Sequence, residues 1–161
     1  HYDRAQYLEL VRYARSVIPD ISFTSDVIVG FPGETREEFE DTLSLVKEVG
    51  FTSLFTFIYS PRVGTPAASL PDPVAPETKV AWLQELNKLQ ETISGERLAK
   101  LVGTRQRALL ESVGKGYLEA RLPDNGVVRV AGEESWIGRY AEIEIEDARS
   151  WVMHGHICHL D

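Results

Sequence analysis

Apolar positions recur at helical spacing over residues 5–17, AQYLELVRYARSV, where Tyr7, Leu8, Val11, Ala14 and Val17 or Ile18 share one face. Pro19-Asp20 ends that helix. Residues 21–30, ISFTSDVIVG, are polar early and continuously apolar late, the pattern of a parallel strand covered on both faces. Thr35 and Glu38 then form a capping box, and Phe39, Leu43, Val46 and Val49 mark the inner face of the helix it opens. Gly50 suits the left-handed residue that closes such a helix. The next apolar run, FTSLFTFIYS at 51–60, reads as a second strand. A strand, a helix and a strand joined by short loops make a parallel pair through a right-handed crossover. With the leading helix, this predicts a piece of an α/β sheet or barrel. Two strands close nothing, so earlier strands are expected upstream, and the chain reads as a fragment.

Residues 60–76 hold five of the chain's eight prolines and read as an extended surface linker. A long helix follows at 77–101, its stripe formed by Val80, Leu83, Leu86, Leu89 or Gln90, Ile93, Leu98 and Leu101, and Gly103 closes it. From there the segments RQRALLES, YLEARL, GVVRVA, YAEIEIEDA and WVMHGHICHL are short, alternating and separated by turn residues. Five strands at this spacing predict a small OB-like β-barrel. The expected division is therefore 1–75, a linking helix at 76–102, and a β-barrel at 103–161.

Composition changes this picture only at the margins. An apolar fraction of 43% is enough for a packed core. The net charge of −8 weighs against a general nucleic-acid binder. The β part carries 7 Lys and Arg against 10 Asp and Glu, so any basic face there must be local. The single cysteine, Cys158, excludes an internal disulfide and makes a reducing cytoplasm the default. No apolar run long enough to span a membrane is present.

Ligands of α/β sheets sit beyond the carboxyl ends of the strands, and two such ends are visible, VGFPGET and IYSPRVGTP. Gly30 and Gly33 let backbone approach a ligand, the helix start at Thr35 offers amides, and Arg62 adds a cation. The same glycines equally suit a tight turn with no ligand. Asp26, ahead of an apolar run, needs a partner if buried, either a ligand or an unseen basic side chain. His154, His156 and Cys158 alternate onto one face of the last strand, but no converging fourth ligand is visible in the sequence. That strand is expected at a sheet edge with its histidines in solvent and no metal. Arg105, Arg107, Arg121, Arg129 and Arg139, with Tyr117 and Trp136, make either a nucleic-acid face or a solvated surface whose arginines pair with glutamates.

DVIVGFPGETREEFEDTL together with FTFIYSPRVGTPAA resembles the radical S-adenosylmethionine methylthiotransferases. HYDRAQYLELVRYAR is similar to the helix that follows an arginine motif in that family, and the region after Gly103 looks like its TRAM domain. The resemblance covers essentially the whole chain and implies a partial radical SAM (β/α) barrel fragment followed by a TRAM barrel. It implies that Ile28, Val29, Gly30 and Phe31 lie along the adenosyl group of S-adenosylmethionine, with Tyr59, Ser60 and Arg62 at the neighbouring strand end. Asp26 and the sequence FTFIYSPR lean toward the branch that methylthiolates N6-isopentenyl-adenosine beside the tRNA anticodon. The threonylcarbamoyl-adenosine branch, a branch acting on a ribosomal protein aspartate, and a non-catalytic RNA-binding module stay open. The resemblance also implies two [4Fe–4S] clusters, one held by a CxxxCxxC loop. No such loop is in this sequence, so both clusters are expected to be ligated outside this chain, which would be inactive alone. No residue here is a candidate catalytic acid or base. The implied partner is tRNA, its anticodon stem-loop contacted through Arg105, Arg107 and Arg129. The electron donor and sulfur source are not legible.

Overall fold

The computed structural model describes residues 2–149 and 151–161; His1 and Ser150, which fall within the expected domain spans, lie outside the described residues. The chain divides into two compact units, His1–Ile93 and Ser94–Asp161. The division falls inside the long helix, ahead of the expected boundary at Gly103.

In the first unit, helix α1 (Arg4–Val17) opens with Asp3, whose carboxylate accepts from the Gln6 amide in a capping box. Strand β1 (Thr24–Val29), helix α2 (Arg36–Val49) and strand β2 (Ser53–Ile58) follow. β1 and β2 pair in parallel, with Asp26 opposite Phe55, Ile28 opposite Phe57 and Val29 opposite Ile58. The Thr35–Glu38 capping box and the left-handed Gly50 are both present, as the sequence predicts. Phe39, Leu43, Val46 and Val49 are all buried. They meet Val11, Val29, Phe51, Trp82 and Leu86 in one core, where Phe39 and Trp82 stack with ring centroids 5.0 Å apart. Arg36 ties α2 to the next helix through a forked pair of bonds to Glu85 at 2.7 and 2.9 Å. These bonds, then the one to Glu40, raise the Arg36 pKa above its ordinary value.

Helix α3 spans Pro76–Ala99. Its buried positions are Lys79, Trp82, Leu86, Gln90 and Ser94, and of the expected stripe Leu83, Leu89, Ile93, Leu98 and Leu101 also pack partly buried against the cores. Val80, expected inside, is exposed, and Trp82 and Lys79 take the inner line ahead of Leu86.

The second unit holds strands β3 (Arg105–Val113), β4 (Leu118–Arg121), β5 (Val127–Val130), β6 (Tyr140–Arg149) and β7 (Val152–Leu160). They close a barrel in the order β3-β4-β5-β7-β6. All five predicted strands are present, and the closed barrel bears out an OB-like reading. Ala108, Leu110, Leu118, Val128, Ile143, Ile145 and Met153 fill its interior. β7 is not an edge strand, as the sequence suggested. It lies between β5, which it pairs in parallel, and β6, which it pairs antiparallel.

Candidate functional site

Alternation splits the two-stranded sheet into unlike faces. Val27, Val29, Leu54 and Ile58 pack toward the helices, and Thr56 on that face donates to Asn87 of α3 at 2.6 Å. The opposite face is open: Ile28 is 55% exposed, Phe55 59% and Phe57 52%. The expectation of a strand covered on both faces is therefore met on one face only. Asp26 lies on the open face and is exposed, so the burial argument for an obligatory partner does not hold.

Both strands end at the same edge, where the Tyr59 amide donates to the Val29 carbonyl at 2.9 Å. Phe31 and Tyr59 meet edge to face at 5.1 Å. Ser60 and Arg62 are exposed just beyond. Among the described residues the Arg62 guanidinium has no ion-pair partner. Val29 points into the helix-facing core and is fully buried, so its side chain does not reach the open face.

Three residues that the sequence reading missed shape this edge. Glu34 turns its carboxylate back onto the loop and accepts from the Gly30 and Phe31 amides. Lys79 runs its stem under Gly30, so that a Cβ there would lie 2.6 Å from its Cγ and Cδ. Its ammonium pairs with Asp72 and sits 5.9 Å from the Tyr59 ring centroid. Gly30 thus makes room for a side chain of its own protein. Gly33 has open space around it and is needed only for its φ of 88°. Among the described residues the buried Tyr59 hydroxyl has no hydrogen-bond partner. The signal for Lys79 was its i, i+3 and i+7 spacing with Trp82 and Leu86.

On the barrel surface, the arginines have acidic neighbours. Arg105 meets Glu144 at 3.3 Å, Arg107 meets Asp161 at 2.7 Å, Arg121 meets Glu111 at 2.9 Å and Arg129 meets Glu119 at 3.3 Å. Arg139 donates to the Asp161 carbonyl at 2.8 Å. Two of them also lie over aromatic rings: Arg107 over Tyr140 and Arg129 over Tyr117, each at 4.5 Å. Glu144 and then Cys158 hold the Arg105 guanidinium above its ordinary pKa. Glu144, His156 and Cys158 converge on one patch of the outer wall, where Glu144 is the member that the linear sequence did not point to.

Comparison with known proteins fits this architecture. A family profile described as the TRAM domain matches residues 99–158, which take in the five-stranded barrel up to the last two residues of β7. The longer match is to proteins named tRNA-2-methylthio-N(6)-dimethylallyladenosine synthase. That of Thermoanaerobacter sp. (strain X514) is 44% identical over 97% of this chain and 34% of its own length. Those of Bacillus cereus (strain B4264) and Neisseria gonorrhoeae (strain NCCP11945) are each 42% identical over 97% of this chain, covering 31% and 36% of their own lengths. Over nearly its whole length the chain is similar to the C-terminal part of these proteins. It spans about a third of the length of these curated relatives. No helix among the described residues is long and apolar enough to cross a membrane.

Proposed function

We propose that this chain is the rear part of a radical S-adenosylmethionine methylthiotransferase that modifies an N6-substituted adenosine beside the tRNA anticodon. The observation that carries this reading is the 42–44% identity, along nearly the whole chain, to enzymes named for that product. The proposed division is 1–75 as the end of a radical SAM barrel, 76–102 as a linking helix and 103–161 as the tRNA-binding barrel.

The residues at the strand ends suit S-adenosylmethionine. Bound there, it would supply both the radical and the methyl group. Ile28 and Phe31 offer apolar flanks to an adenosyl group, and the Tyr59 hydroxyl is a buried donor in want of an acceptor. Ser60 and Arg62 suit a carboxylate, and Asp26 suits a hydroxyl or an amine. Val29 and Gly30 act through backbone, since one side chain is in the core and the other position is filled by Lys79. These residues position a ligand, which is a substantial part of catalysis. The lone Cys158 cannot supply three thiolates, so the two [4Fe–4S] clusters belong outside these residues.

Arg105, Arg107 and Arg129 are the proposed tRNA contacts. Exposed ion pairs are worth only about 0–1 kcal/mol, so a phosphate can replace each carboxylate at little cost. Tyr117 and Tyr140, beneath two of the arginines, add rings on which bases can stack.

The test uses the polypeptide encoded by the whole reading frame that contains these residues. With S-adenosylmethionine, a reductant, a sulfur source and tRNA, it should yield methylthio-adenosine, detected by nucleoside mass spectrometry. Ile28→Glu should weaken S-adenosylmethionine binding tenfold or more. A reading frame with no CxxxCxxC upstream of His1, or no methylthiolated nucleoside, would overturn the proposal.

A further inference from the structure

The outer wall of the barrel brings together three side chains that the proposed function does not use. Glu144 of β6 stands directly across from His156 of β7. The flanking residues Ile143 and Ile145 are fully buried in the barrel, which turns Glu144 outward. Cys158 lies two residues beyond His156, on the same face. The pairing of β6 with β7 then slips, since Glu142 faces His159 while Ile143 faces Ile157. Cys158 is therefore the extra residue of a bulge, a device that re-aims side chains.

The result is convergence. The Cys158 thiol is 3.7 Å from His156 Nε2 and 3.9 Å from Glu144 Oε2, and all three ligand atoms lie within 4.8 Å of one another. Metal–sulfur bonds of about 2.3 Å and metal–nitrogen or metal–oxygen bonds of about 2.0–2.2 Å place tetrahedral ligands roughly 3.3–3.6 Å apart. Small side-chain movements reach that spacing. The second nitrogen of His156 is engaged as well: Nδ1 lies 2.8 Å from Glu146 Oε1. A carboxylate accepts there, so Nδ1 is held as the donor and, in the neutral ring, Nε2 is the nitrogen left to ligate a cation. Metal-ligating histidines are oriented by such carboxylate partners.

We propose that Glu144, His156 and Cys158 form a three-ligand site for a zinc-class divalent cation, with Glu146 as the residue that orients His156. The donor set decides the class. One thiolate, one imidazole and one carboxylate suit zinc and cobalt, whereas magnesium and calcium take oxygen ligands alone. All three ligands lie toward solvent, so a fourth position stays open to water or another ligand. Arg105 is the competing cation, with Nε 3.3 Å from Glu144 Oε2. Its side chain is exposed, and Glu144 has a second oxygen, so the metal and Arg105 can share the carboxylate.

The metal-free chain, titrated with Co²⁺, should bind one ion per chain with a thiolate-to-cobalt charge-transfer band that Zn²⁺ displaces. Cys158→Ser should abolish the band. His156→Asn and Glu144→Gln should each weaken affinity tenfold or more, and Glu146→Gln about tenfold. These side chains are outside the core, so circular dichroism of the variants should match the parent. A second readout needs no variant: Zn²⁺ should slow alkylation of the chain's single cysteine at least tenfold. One ion per two chains, a band that survives Cys158→Ser, or an alkylation rate indifferent to Zn²⁺ would overturn the site.

Discussion

Gly30 has a φ of 70° and a buried backbone, with the Lys79 stem where its Cβ would be. An alanine there meets two penalties: the left-handed backbone, about 1–2 kcal/mol, and displacement of a lysine whose far end is held by Asp72. At Gly33 the backbone penalty applies alone, because nothing lies within 4 Å of its missing Cβ. Gly30→Ala should therefore destabilise more than Gly33→Ala in urea unfolding. The excess should shrink when Lys79 is also changed to Ala, since residues in contact do not act additively. Equal losses at the two glycines would show that Lys79 yields freely. The turn at Gly-Phe-Pro-Gly was legible in the sequence because local backbone demands leave local marks. What fills it was not, because Lys79 arrives from a distant helix. Asp26 shows the reverse error: the apolar residues after it suggested burial, but alternation leaves it on the open face with Ile28.

Among the elements, α2 was read most fully, since its cap, its four inward residues and its closing glycine are all set by its own sequence. In α3 most of the stripe was read correctly, but Val80 was placed inside and Lys79 and Trp82 were missed, because apolar residues on several faces blur the helical period. Only the core shows that Lys79 and Trp82 join Leu86 on the inner line. β7 was read as an edge because it comes last in sequence, although barrel closure pairs it on both sides. Gly155 is what that closure requires. A Cβ there would lie 2.2 Å from the backbone carbonyl oxygen of Glu144 and 3.0 Å from Ile143. Backbone cannot give way as a flexible side chain can. Gly155→Ala should force β7 from β6 and cost more than about 3 kcal/mol, among the larger single-residue losses. A thermal melt of the variant checks this, and a midpoint unchanged from the parent would mean that the two strands separate easily at this point.

At the scale of the whole molecule, the two units differ in how they end their sheets. The barrel closes on itself, so its five strands leave no unpaired edge. It also has its own core, to which Leu98 and Leu101 are added from the chain just before β3. Among the described residues the first unit has two strands, and their open face carries Ile28, Phe55 and Phe57 in solvent. Contiguous apolar surface beside unpaired strand edges favours association. Residues 94–161 produced alone should therefore fold cooperatively and stay monomeric in analytical ultracentrifugation. Residues 1–93 alone should bind a hydrophobic dye and form larger species as concentration rises. An anticodon stem-loop added to the barrel fragment should bind with an affinity that falls as salt increases, by a slope that Arg107→Ala and Arg129→Ala reduce. A barrel fragment that is unfolded would show that its core depends on the first unit. A folded fragment whose affinity ignores salt would leave its arginines serving only their carboxylate partners.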